Sequence, residues 1–226
     1  MKLTPTQRLI IERVVNAFET GRAKGDYGAI AIFNDGPHGI RQITYGRSQT
    51  TEYGKLRLLV TRYAEAGGTY SEDLARYVDR VGAEPLTDDL QFRSLLRTAG
   101  RTDVVMRDTQ DAFFEKEFFL PAMEWAKDHG FALPLSALVI YDSFIHSGSI
   151  LWLIRRTFPE RTPASGGDER AWTTAYVKAR HAWLAGHGRA AVRKTTYRTR
   201  CLAEQIQRAN WHLELRPIRA NGVVVG

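Results

Sequence analysis

Two carboxylic acids in this chain stand in the contrasting surroundings that acid–base chemistry uses. Glu19 directly follows Phe18 at the C-terminal end of an apolar-striped segment. The negative end of a helix dipole and apolar neighbours both disfavour ionisation there, which suits Glu19 to the role of a protonated acid. Asp35 lies in the turn sequence Asn34-Asp35-Gly36, where better solvation keeps a carboxylate ionised. One group protonates a leaving oxygen and the other activates water, the division of labour in glycoside hydrolysis. Taken singly, a helix-end Glu or a turn Asp is an ordinary surface residue. The order and setting of the two together carry the argument.

Other chemistries find less support. The histidines (His38, His129, His146, His181, His187 and His212) show no His-Glu-x-x-His or similar ligand spacing, so no metal and no cofactor are expected. No Gly-x-Ser-x-Gly occurs, and the single cysteine, Cys201, has no evident base beside it.

The elements that must position the pair are mostly helical. Ile10, Val14 and Phe18, with Ile11 and Val15, form a stripe of helical period, and Thr4-Pro5 supplies a start and Thr20-Gly21 a stop. Residues 27–33 and 40–45 suit two short strands around the turn-rich Asn34-Asp35-Gly36-Pro37-His38-Gly39, giving a small antiparallel sheet. Beyond Thr50 the spacing predicts helices throughout: 51–66, 71–81, 87–98, 103–128 with a kink at Pro121, 134–147, 149–157, 168–185 and 194–210. The expected fold class is α+β, mainly α, with a small antiparallel sheet and a large helical lobe. It reads as a single catalytic domain over 1–226, with a helix-and-sheet lobe to about residue 55 and a helical lobe from about 56.

The chain has 226 residues, a net charge of +7 and a pI near 9.7. Basic residues crowd the last third, including Arg189, Arg193, Lys194, Arg198 and Arg200, a field that favours anionic partners. No run reaches the roughly eighteen apolar residues of a membrane span, so no membrane insertion is expected. The N-terminus shows no apolar leader, which suits a phage lysin or an injected wall-degrading effector acting on an extracellular or cell-wall polymer.

The chain resembles the chitosanases of glycoside hydrolase family 46. The likeness rests on Phe18-Glu19-Thr20-Gly21, Tyr27, Asp35-Gly36 and Thr44-Tyr45-Gly46-Arg47, on Thr162-Pro163-Ala164-Ser165-Gly166-Gly167-Asp168-Glu169 followed by Ala179-Arg180, and on Tyr141-Asp142 with His146. It implies a two-lobed lysozyme-like fold and an inverting endo-β-1,4-glycoside hydrolase of an amino-sugar polysaccharide. Glu19 would be the general acid, Asp35 the general base and Thr44 the holder of the attacking water. Glu52 falls where the family has an acidic sugar-binding residue, and Tyr27, Arg41, Tyr45 and Arg47 would line the sugar. Asp142 and Arg180, with Arg193 or Lys194, would form a charge network behind Glu19. The loop here reads Asp-Gly-Pro-His-Gly where the family has Asp-Gly-Arg-Gly-Tyr, and Thr44 lies further downstream.

The resemblance points to chitosan and the charge to peptidoglycan, since chitosan is itself a polycation. The alternative to an enzyme is a basic module that binds wall glycan or nucleic acid through its C-terminal helix and Trp183, Tyr197 and Trp211. For the hydrolase, the polysaccharide is the expected partner and nucleic acid is not.

Overall fold

A computed structural model describes residues 1–226, which divide into two compact units. The first joins Met1–Ala23 to Lys116–Gly226, and the second is Lys24–Glu115. No helix is long and apolar enough to cross a membrane.

In the first unit, helix α1 (Pro5–Thr20) begins with a capping box, in which Thr4 accepts from Gln7 N and the Gln7 side chain accepts from Thr4 N. It ends at Gly21, in the left-handed region at φ 67°. The predicted stripe is fully used: Ile10, Ile11, Val14, Val15 and Phe18 are all buried. They join a core with helix α7 (Pro134–Ser147), whose residues from Pro134 to Phe144 are all buried. Around that core lie α6 (Leu120–Asp128), α8 (Trp152–Arg155), α9 (Glu169–Ala185), α10 (Ala190–Arg193) and α11 (Tyr197–Gln207). Tyr197 donates its hydroxyl to the Phe18 carbonyl at 2.7 Å, tying the start of α11 to the end of α1.

In the second unit, strands β1 (Ile30–Phe33), β2 (Gln42–Tyr45) and β3 (Thr50–Thr51) form an antiparallel sheet in that order. Ile30 faces Tyr45, Phe33 faces Gln42, and Thr44 faces Thr51. Helices α2 (Leu56–Ala66), α3 (Ser71–Ala75), α4 (Leu90–Thr102) and α5 (Val104–Phe114) complete it. Asp89 and Asp103 cap α4 and α5 by accepting from Phe92 N and Val105 N. Asp103 also accepts from Thr69 N and from the Tyr63 hydroxyl, fixing the α2–α3 turn to α5.

The mainly helical architecture with a small antiparallel sheet matches the expectation, and three details depart from it. The division does not fall near residue 55. The apolar stripe of α1 packs on α7, while the helices from 56 to 114 belong with the sheet. The 103–128 segment does not run as one helix kinked at Pro121: a π-turn at Glu115–Phe119 separates α5 from α6, and Pro121 sits in the first turn of α6, where no amide proton is needed. The chain is also not helical to its end. Strands β4 (Ile218–Ala220) and β5 (Val223–Val225) pair antiparallel across Asn221-Gly222, both at positive φ. Asn-Gly followed by Val223-Val224-Val225 is a hairpin signal that helical periodicity obscures.

Candidate active site

Glu19 occupies the next-to-last position of α1, with only 12% of its side chain exposed. Arg198, in the first turn of α11, donates to its carboxylate through Nη2. The same guanidinium donates through Nη1 to Asp142 Oδ1 at 2.6 Å, and Arg180 from α9 donates to Asp142 Oδ2 at 2.5 Å. Asp142 is completely buried on α7, as are Arg180 and Arg198 to within 2%. Two carboxylates and two guanidiniums thus alternate in a chain, Glu19–Arg198–Asp142–Arg180, that is balanced in charge. Arg198 also lies over the Phe18 ring, 5.4 Å from its centre.

The electrostatics differ along that chain. Burial pushes the Glu19 carboxyl above the ordinary carboxylate value and outweighs the opposing pull of Arg198. Burial acts on Asp142 in the same sense, but Arg180 and Arg198 together hold it below its ordinary value. Asp142 is therefore a fixed anion, and Glu19 is the member of the chain that can carry a proton. His146, one turn further along α7, is pushed down to about 3 by burial and the two arginines, so it stays neutral.

Neither Arg193 nor Lys194 takes the third basic position of this network. Arg193 turns its Nη1 to the carbonyls of His187 and Gly188 at 2.7 and 2.8 Å. Both residues lie in short turns before α11 and present no buried face. Arg198 could have been read from spacing: with Cys201, Leu202 and Gln205 it forms the inward stripe of α11.

In the second unit, Asp35 is half-buried just beyond β1 and accepts from Gln42 Nε2 at 2.8 Å. Thr44 donates its hydroxyl to the Ala31 carbonyl at 3.2 Å. Arg41 is exposed and reaches Asp88 at 3.3 Å.

Three residues expected to line sugar are structural instead. Tyr45 is fully buried and donates its hydroxyl to the Leu96 carbonyl at 2.7 Å. Arg47 is 6% exposed and ion-paired with Asp111 at 2.5 Å. Glu52 is 1% exposed and accepts from Ile43 N at 2.9 Å and Leu86 N at 2.7 Å. β2 is the central strand, flanked on both edges and covered on both faces, so a polar and aromatic run that reads as a surface packs inward. The half-buried Tyr27 gives its hydroxyl to Asp111 at 2.9 Å. Gln110 pins the same turn: it donates to the Tyr27 carbonyl and accepts from Arg47 N. A side chain at Gly46, which has φ 90°, would collide with it. Cys201 is buried, and its thiol is pushed up to about 12, which keeps it unreactive.

The sequence matches the model of glycosyl hydrolase family 46 over residues 13–218. A chitosanase of Bacillus subtilis (strain 168) is 26% identical over 193 residues, covering 79% of this chain and 68% of that protein. A family 46 chitosanase of Gynuella sunshinyii, solved with chitotetraose, is 27% identical with a TM-score of 0.84 over 99% of this chain and 98% of that one. The native chitosanase of Bacillus subtilis MY002 has the same fold at 23% identity, with a TM-score of 0.84 over the whole of both chains. The fold is the lysozyme-like one shared by these enzymes.

Proposed function

Because this chain belongs to glycosyl hydrolase family 46 and is therefore a glycoside hydrolase, we propose that it cuts chitosan internally, inverting the configuration at each β-1,4 bond it cleaves. The observation that carries the proposal is Glu19, a carboxyl raised by burial yet held by the Arg198–Asp142–Arg180 chain.

In this reading protonated Glu19 gives its proton to the glycosidic oxygen as the bond to the anomeric carbon breaks. Asp35 takes a proton from the water that attacks the opposite face of that carbon. Negative charge then appears on Glu19, where Arg198 already donates, so the leaving-group step needs no reorganisation of the network. Exchange with solvent returns the proton to Glu19 and removes it from Asp35.

The +7 charge does not argue for peptidoglycan once it is located. The first unit carries 20 Lys and Arg against 11 Asp and Glu, a net of +9. The second, which bears Asp35, carries 12 against 14, a net of −2. The basic excess belongs to the unit of the C-terminal helices, and the Asp35 unit has the sign that suits a polycation. The Bacillus subtilis relative is a chitosanase, and the Gynuella relative was solved with chitotetraose. Membership of a hydrolase family also displaces the reading as a pure binding module. Chitosan is a polymer too large to enter cells, so the proposed site of action is extracellular.

The test is to incubate the protein with chitosan and with purified peptidoglycan and identify new reducing ends by mass spectrometry. Glucosamine ends from chitosan are expected, with the α-anomer appearing first by NMR. Glu19→Gln should lower kcat by about 10²–10⁴-fold, the usual worth of a general acid. Muramic-acid ends, or a fully active Glu19→Gln protein, would contradict the proposal.

A further inference from the structure

Asp35 is fastened to the sheet by one buried side chain that acid–base reasoning alone does not single out. Gln42 opens β2, is 5% exposed, and donates from Nε2 to Asp35 Oδ1 at 2.8 Å. Its Oε1 accepts from Tyr53 N at 3.3 Å. These two bonds fix the amide's orientation, since a flipped amide would set donor against donor and acceptor against acceptor.

The loop that carries Asp35 is closed on itself. Gly36 N donates to the Ile40 carbonyl, Gly39 N to that of Gly36, and Ile40 N to that of Pro37. A Cβ at Gly36 would come within 2.9 Å of the Ile40 carbonyl oxygen, so the turn admits glycine only. Phe33, the last residue of β1, faces Gln42 across the sheet, and Asp35 follows two residues later. Gln42 therefore links the rigid strand to the carboxylate at the mouth of the loop. Thr44, the next residue on the same face of β2, has committed its proton to Ala31.

We propose that Gln42 is a positioning residue for catalysis, fixing the rotamer of Asp35; this rests on the reading of Asp35 as the base. A buried amide costs free energy unless both its ends are paired, and both ends of Gln42 are. A neutral donor has a further advantage here. It steadies a carboxylate without adding positive charge beside a substrate that carries ammonium groups.

The test compares kcat and KM of Gln42→Ala, Gln42→Glu and Asp35→Asn on chitosan, with circular dichroism and melting temperature for each. Gln42→Ala should lower kcat about tenfold, a fraction of what a general base supplies, with KM within about twofold. The loss falls on kcat because what is removed is the bond that aims the Asp35 carboxylate. Gln42→Glu keeps the volume but replaces the donor with an acceptor that turns the Asp35 carboxylate away, so its kcat should fall further. If Gln42→Ala fails to fold, the kcat of Gln42→Glu decides. Wild-type kcat in the folded variants overturns the inference, whether or not melting falls, because a merely structural amide affects melting alone. Asp35→Asn separates the two readings: full activity there removes the base assignment itself. An inactive Asp35→Asn beside unaltered Gln42 variants removes only the role of Gln42.

Discussion

Glu19 and Asp142 share one guanidinium: Arg198 donates to the first through Nη2 and to the second through Nη1 at 2.6 Å. A planar fork with fixed angles can hold two carboxylates at once, and a lysine ammonium on a flexible stem cannot hold them in the same geometry. The fixed anion Asp142 thereby anchors the cation that positions the acid.

Arg198→Ala should accordingly cost about 3–5 kcal/mol of folding free energy, because it leaves Asp142 with one arginine and a cavity beside it. Its kcat on chitosan should fall as well. Arg193→Ala, which loses only bonds to the carbonyls of His187 and Gly188, should stay within about 0.5 kcal/mol of wild type. Urea unfolding and initial rates measure both. Equal losses in the two variants would mean that Arg193 belongs to the network as well.

Asp142→Asn tests the anion itself. The Asp142 carboxyl is held below its ordinary value of 3.8 in the folded protein, so its contribution is fully present above that pH and is lost as pH falls through the folded value. The isosteric amide leaves Arg180 and Arg198 under-compensated in a buried site and should cost about 3–5 kcal/mol at neutral pH. The gap between variant and wild type should then narrow as pH falls below 3.8. Unfolding midpoints across that range check it, and a gap that stays constant would show that Asp142 is not ionised when folded.

Glu19 was legible because its signal is local: an apolar stripe, a Phe-Glu pair and a helix stop at Gly21 all lie within α1. Asp35 was legible for the same reason, from turn chemistry. What escaped depends on contacts distant in sequence. Arg198 meets Glu19 across 179 positions, and no periodicity within α11 names its partner. Tyr45, Arg47 and Glu52 read as a polar surface because strand alternation shows which residues share a face and not whether that face is covered. Gln42 lies in the same run and reads with it as a sugar-lining surface, since a lone amide in a strand has no other chemistry until its neighbours are placed. The Asn221-Gly222 hairpin was readable, but it was hidden by extending the helical pattern to the end of the chain.

Glu52 separates a brace from a sugar contact. Its carboxylate accepts from two backbone amides, those of Ile43 and Leu86, which have no water to turn to. Glu52→Ala should cost about 2–4 kcal/mol for the two buried N–H groups left unpaired, with KM for chitosan oligomers within about twofold. Glu52→Gln restores one acceptor and should lose less. Thermal melts beside Michaelis–Menten kinetics distinguish the roles; a severalfold rise in KM with unaltered melting would return Glu52 to the substrate.

The pH profile gives the sharpest test of how Glu19 is tuned, because Arg198 and Asp142 act on it in opposite senses. The acid works when protonated, so the basic limb of kcat/KM follows loss of its proton and should lie above the ordinary 4.5. Arg198 favours the ionised form. Arg198→Met removes that cation while keeping an apolar stem, so the limb should move to higher pH even as kcat falls. Asp142 favours the protonated form, and Asp142→Asn should move the limb the other way, to lower pH. The displacement should be the smaller of the two, since Asp142 acts on Glu19 through Arg198 and not by contact. Movements of the same sign in both variants would mean that the limb reports a group other than Glu19.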